Sequence, residues 1–187
     1  MEQLRNYSMR MWGLDGLHIC DYHGVTGHVA GNLLAEIFKG AELGDRTQAE
    51  TIDHLNWRLH GFYESHGISE RIPDISTKLV GLDVTDGWPF LGGIGVKATN
   101  TRKLVPWLLE LARVTNDGSR YKTRRLMVVE ALHKYYTVIY EAGMFLTEQQ
   151  KKDVKTAVDT CLVNYTYLSW RCMRGGIRIF KNLKGKR

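Results

Sequence analysis

Apolar residues recur every three or four positions along most of this chain, which predicts a helical protein. Over 24–39, Val25, Val29, Leu33 with Leu34, and Ile37 fall at helical spacing, and Gly40 stops the run. Gly27 and Gly31 lie four apart on one face of that helix. Each weakens a helix relative to alanine, so another backbone is expected to approach there. A second helix is predicted over 46–66, capped by Asp45, with Ile52, Leu55, Leu59 and Phe62 buried and Gly67 as its stop. The pattern then breaks. Residues 68–95 hold Pro73, Pro89 and the run Gly92-Gly93-Ile94-Gly95, and read as an irregular connection with one short strand near Lys78–Val84.

Helical spacing returns over 97–114, where Pro106 must kink or divide the helix because it lacks a backbone donor and crowds the preceding turn. Asn116 to Ser119 is a turn signal, and Ser119 caps a helix over 120–142 with Leu126, Val129, Leu132, Tyr136 and Ile139 in line. Thr147 and Gln150 form a capping box. It opens the longest helix, 148–174, in which Val154, Val158, Cys161, Tyr165, Leu168 and Cys172 make the seam of a packed pair. Gly175 and Gly176 close it, and Ile177 to Phe180 could begin a short strand. The expected class is therefore mainly α. About five helices are predicted, with a C-terminal antiparallel bundle and little or no β-sheet. The expected organisation is a segment of residues 1–45 and a helical region of 46–187, packed as one compact unit.

Composition adds boundaries. With 187 residues, 43% hydrophobic and 25% charged, the chain is of ordinary globular type. No apolar run approaches the roughly 18 residues of a membrane span. Met1 to Met11 carries Glu2, Arg5 and Arg10 and no apolar stretch, so a soluble, intracellular protein without membrane contact is expected. Cys161 and Cys172 are eleven residues apart on one predicted helix, about 16 Å by helical rise, and cannot bond to each other. With Cys20 they read as reduced thiols.

Charge changes the picture more. Residues 1–116 hold 11 Lys and Arg against 14 Asp and Glu, whereas 117–187 hold 15 against 6. A basic half of this kind suits phosphate, because Lys and Arg displace its counterions, although a solvated helix face also looks like this. Candidate phosphate contacts are Lys97, Arg102 and Lys103 beside the glycine run, Arg124 and Arg125, then Arg171, Arg174, Arg178, Lys181 and Lys184. The glycine run lacks the Lys-Ser/Thr of a phosphate loop, though it could form an anion nest. Tyr135, Tyr136, Tyr140, Tyr165, Tyr167 and Trp170 interleave with these basic residues, a mixture that suits base stacking, although helical spacing sends most of them to the core.

A second chemical cluster lies near the N-terminus. Asp15, His18, Cys20, Asp21, His23 and His28 fall within 14 residues. Asp15, His18, Asp21 and His23 could ligate a metal, or Asp15 and His18 could simply brace a turn. His54, His60 and His66 are six apart and do not share a helix face, and His133 lies between buried positions.

Leu14-Asp15-Gly16-Leu17-His18-Ile19, followed by Gly31-Asn32-Leu33-Leu34, resembles a segment of CACTA-type (En/Spm-like) DDE transposases. Those proteins carry Asp-x-Met-His-Ile and then, about a dozen residues on, a Gly-x-Leu-Leu helix. Lys97-Ala98, Arg102 and Leu104-Val105-Pro106-Trp107-Leu108 are similar to a later basic, Leu-Leu-Pro region of the same family. The likeness covers about residues 12–112 as scattered anchors. It implies an RNase H-like core in which three acids hold two divalent ions, magnesium or manganese, interrupted by a large helical insertion. His18 is then the motif histidine, and Asp15 beside it the candidate catalytic acid. Only about 14 residues precede the motif here, too few for the strand meander that supplies the first acid, and the third acid would fall beyond Arg187. The expectation is an internal, transposon-derived helical domain, nuclear and DNA-associated, capable of homo-oligomers and inactive as a nuclease by itself. Two alternatives stand beside it. One is a stand-alone helical interaction domain. The other is a metal-dependent hydrolase built on the Asp15–His28 cluster.

Overall fold

A computed structural model describes residues 24–40, 42–83 and 87–180. Among these residues the regular elements are all helices, with no strand. The helices are α1 (Val25–Lys39), α2 (Gln48–Ser65), α3 (Ala98–Lys103), α4 (Val105–Val114), α5 (Arg120–Glu141) and α6 (Glu148–Arg174).

The centre is α1. It is buried on nearly every side and packs against α2, α3, α4 and α5. A helix this enclosed is apolar all round, and its few polar side chains need internal partners. The buried ones, Thr26, Asn32 and Glu36, each find a tyrosine. Thr26 Oγ1 pairs with the Tyr136 hydroxyl at 2.7 Å, Asn32 Nδ2 donates to Tyr165 at 3.1 Å, and the Tyr121 hydroxyl donates to Glu36. Three tyrosines from α5 and α6 thus tie the central helix to the long hairpin.

The glycines of α1 serve a close approach, but not from a helix. A Cβ on Gly31 would lie 2.6 Å from the Phe90 backbone, and one on Gly27 would lie 2.5 Å from the Phe90 ring. Leu91 N–H donates to the Gly27 carbonyl at 2.9 Å, locking this segment onto α1. The strand expected near Lys78–Val84 does not form. Residues 78–83 are turns, Val84 lying outside the described residues. Val80 and Leu79 carbonyls accept from Phe90 and Gly92, so the segment ties to the Phe90 loop by isolated hydrogen bonds rather than a ladder. Ile177 to Phe180 forms no strand either. Ile179 and Phe180 fold back into the core, with the Phe180 ring 5.3 Å from Tyr165.

Pro106 divides the third expected helix into α3 and α4, with the break at Leu104. The start of α2 is also corrected. Thr47 rather than Asp45 caps it, accepting from Glu50 N–H at 3.3 Å while Glu50 accepts from Thr47 N–H at 2.8 Å. That reciprocal pair satisfies two otherwise orphaned groups, which Asp45 could not do from two residues upstream. Ser119 and Thr147 cap α5 and α6 as expected.

The two long helices run antiparallel, the start of α5 meeting the end of α6 where Tyr121 O–H lies 3.3 Å from Cys172 Sγ. The expected α6 seam is buried at Cys161, Tyr165, Leu168 and Cys172. Its first half shifts by one residue, Ala157 turning inward while Val158 is 39% exposed.

Candidate nucleic-acid interface

Arg124 and Arg125 are neighbours on α5, and the helical turn between them sends one outward and one inward. Arg125 is 2% exposed. Its guanidinium donates to Glu36 at 2.9 Å, to both Glu42 oxygens at 3.1 and 2.9 Å, and to the Thr115 hydroxyl and carbonyl at 2.7 and 3.2 Å. Lys122 extends the cluster to Glu42 at 3.5 Å and Asp117 at 3.1 Å. Burial pushes the Glu36 carboxyl above its ordinary range, opposed by Arg125. Burial also raises the Tyr121 hydroxyl, with Glu36 adding to it. Asp117, on the surface, is held well below the usual carboxylate range by Ser119 and Lys122. This is a structural knot. Arg125, expected among the phosphate contacts, is therefore removed from that set, because its charge is desolvated and already matched by two carboxylates.

The outward face is built differently. Arg120 lies 5.3 Å and Arg124 5.6 Å from the Tyr167 ring of α6. Arg124 also donates to Asn164 at 2.8 Å. Trp170, Arg171 and Arg174 follow Tyr167 at three, four and seven residues, so all four share one face of α6. The Arg174 guanidinium sits 4.7 Å from the Trp170 ring. Trp170 is 44% exposed. Among the described residues, none of Arg120, Arg124, Arg171 and Arg174 has a carboxylate within ion-pairing distance. Among the described residues, three guanidinium groups without a carboxylate partner thus lie against two aromatic rings, with Arg171 on the same helix face, an arrangement that can attract phosphate and stack bases.

The other expected contacts divide. Arg178 follows α6 and is exposed. Lys97, Arg102 and Lys103 do not join it. Arg102 lies 5.6 Å from the Tyr140 ring, at the far end of α5, and Lys103 is paired with Glu70 at 2.6 Å. Tyr140 is sixteen residues from Arg124, about 24 Å along the helix. In the glycine run, a Cβ on Gly95 would meet the Pro73 ring at 2.8 Å, so this glycine serves packing. Arg120 was not among the sequence candidates. Its signal was present, since it opens the helix directly after the Ser119 cap, four residues before Arg124.

Asp15, His18, Asp21 and His23, and likewise Lys181 and Lys184, lie outside the described residues. Among the described residues, no three His, Cys, Asp or Glu side chains are gathered where they could hold a metal ion. His60 Nε2 contacts Asp74 at 2.8 Å, His66 Nδ1 contacts the Phe62 carbonyl at 3.0 Å, and His54 stacks on Trp57 at 5.9 Å. The second helix thus keeps its histidines apart. None of its helices, among the described residues, is long and apolar enough to cross a membrane.

No family model, no curated protein and no solved structure matches this chain.

Proposed function

We propose that this protein is a nucleic-acid-binding helical domain whose contact surface is the Arg120, Arg124, Tyr167, Trp170, Arg171 and Arg174 face of the long hairpin. The observation that carries the reading is that Arg120, Arg124 and Arg174, without carboxylate partners among the described residues, lie against two aromatic rings there, with Arg171 on the same helix face. The basic C-terminal half of the sequence and the transposase resemblance point the same way. On this reading the domain is transposase-like, nuclear and DNA-associated, and this surface is suited to binding rather than to strand cleavage.

Fluorescence anisotropy with labelled oligonucleotides, single-stranded and duplex, tests it across a salt series. Four phosphate contacts give a slope of log Kobs against log salt of about −3 to −4. Arg171→Ala makes the slope shallower by about 0.7 to 0.9. Salt-independent binding, or no binding to either probe, would sink the reading.

A second reading, a helical interaction domain that forms homo-oligomers, is favoured by Val158, Leu162, Met173 and Ile177, which are 39, 44, 56 and 50% exposed on or just beyond α6. Sedimentation separates the two, because apolar self-association persists in high salt whereas phosphate binding does not.

A further inference from the structure

Resting on the proposed nucleic-acid reading, we infer that the ligand of this face is single-stranded, its bases stacking at Trp170 and at the arginine-flanked Tyr167. Duplex DNA offers phosphates and groove edges, but its bases already stack on one another. A face that needed only phosphates would gain nothing from a large indole left 44% exposed beside them. Here the aromatic and cationic groups come as two combined units. Tyr167 lies under both Arg120 and Arg124, and Trp170 lies under Arg174. At Trp170 the exposed indole can stack a base while Arg174 meets its phosphate, and at Tyr167, half-buried against the core, the guanidinium planes of Arg120 and Arg124 over the ring offer the second stacking surface. The units are separated by three residues of α6, less than one helical turn, so successive nucleotides of one flexible strand can reach both. A rigid duplex cannot turn two consecutive bases outward without first losing their pairing.

The test uses the full chain and three labelled probes of about 12 nucleotides: oligodeoxythymidylate, oligouridylate, and a mixed-sequence DNA duplex. At least one single strand binds tenfold or more tightly than the duplex, and the better of the two identifies DNA or RNA as the source. Trp170→Ala weakens single-strand binding about tenfold and leaves the salt slope unchanged, because it removes stacking and no charge. Trp170→Phe, which keeps a ring, stays within about threefold of the parent. Its partly exposed position lets both variants fold, and unchanged thermal unfolding verifies this. If the duplex binds as tightly as both single strands, or Trp170→Ala keeps full affinity while Arg171→Ala loses it, the stacking inference falls and the phosphate-binding reading stands. If no probe binds, both fall.

Discussion

Arg124 and Arg125 are the same residue type, adjacent on the same helix, and their environments are opposite. Arg125 sits in the interior, its charge matched by Glu36 and Glu42 and by the Thr115 hydroxyl and carbonyl. Arg124 is half-buried on the outer side of the hairpin beside Tyr167, with the neutral Asn164 as its hydrogen-bond partner. A buried charge already held by two carboxylates ties elements together and is out of a ligand's reach. A surface charge without a counter-ion contributes little to folding and is available for one. The basic surplus of the C-terminal half is therefore not a count of ligand contacts. The part of it that lies inside the fold is already consumed.

The largest expected effect breaks this contrast from the inside. Arg125→Ala leaves Glu36 and Glu42 facing each other in a desolvated site, and removing one partner of a buried ion pair costs about 3–5 kcal/mol. Arg124→Ala loses one hydrogen bond to Asn164 and costs about 0.5–1.5 kcal/mol. Urea unfolding of the two variants measures the gap, and anisotropy should show the reverse order, Arg124→Ala weakening nucleic-acid binding while the folded fraction of Arg125→Ala binds normally. Equal stability losses would mean that the interior knot does not bear on the fold as its geometry implies.

The same inside-against-outside contrast extends to glycine. Gly31→Ala sets a methyl 2.6 Å from the Phe90 backbone, which cannot yield as a side-chain tip can. Overpacking of this kind costs about 1–3 kcal/mol. Gly61→Ala on α2 meets nothing within 4 Å, and alanine's better helix propensity should raise stability by about 1 kcal/mol. Thermal unfolding should move in opposite directions for the two. A stable Gly31→Ala would show that the Phe90 loop can lift away from α1.

Sequence spacing carried most of the helical frame. The Ser119 cap, the Thr147 capping box and the break at Pro106 were each legible because they depend on local chemistry. The strand near Lys78 was not, since β-patterned residues become a strand only if a partner strand exists elsewhere, and these pair instead with the irregular segment at Phe90 and Gly92. The inward turn of Arg125 was within reach. It lies four residues before Val129 and seven before Leu132, both buried, so helical phase already pointed it at the core. What phase could not supply was Glu36 and Glu42, more than eighty residues away, which make such a position tolerable. For the site itself, the spacing of Tyr167, Trp170, Arg171 and Arg174 showed one face, but only the packed hairpin shows that Arg120 and Arg124 close over it.

The smallest expected effect is on pH dependence, and it separates the same two regions by sign. Glu50 is held low by its hydrogen bonds with Thr47, Glu70 by Lys103, and Asp117 by Ser119. Each lowered carboxyl gives stability that is present above its unfolded value and is lost as pH falls through the folded one. Glu36 behaves in the opposite way. Burial raises it, so between its ordinary value of 4.5 and its higher folded value the native state holds the extra proton. Stability from this group is full below that window and declines as pH rises through it. The surface acids thus make stability climb from acid up to about their ordinary values, and Glu36 makes it decline above pH 4.5. Glu36→Gln removes that decline, so urea midpoints followed upward from about pH 4.5 should fall in the parent and stay flatter in the variant, whatever its absolute stability. The slope is the informative quantity, because glutamine presents an amide donor toward Arg125 and will shift the level on its own account. Parallel pH curves for the two proteins would mean that Arg125 holds Glu36 ionised through the whole range and that the interior knot is electrostatically balanced rather than strained by its burial.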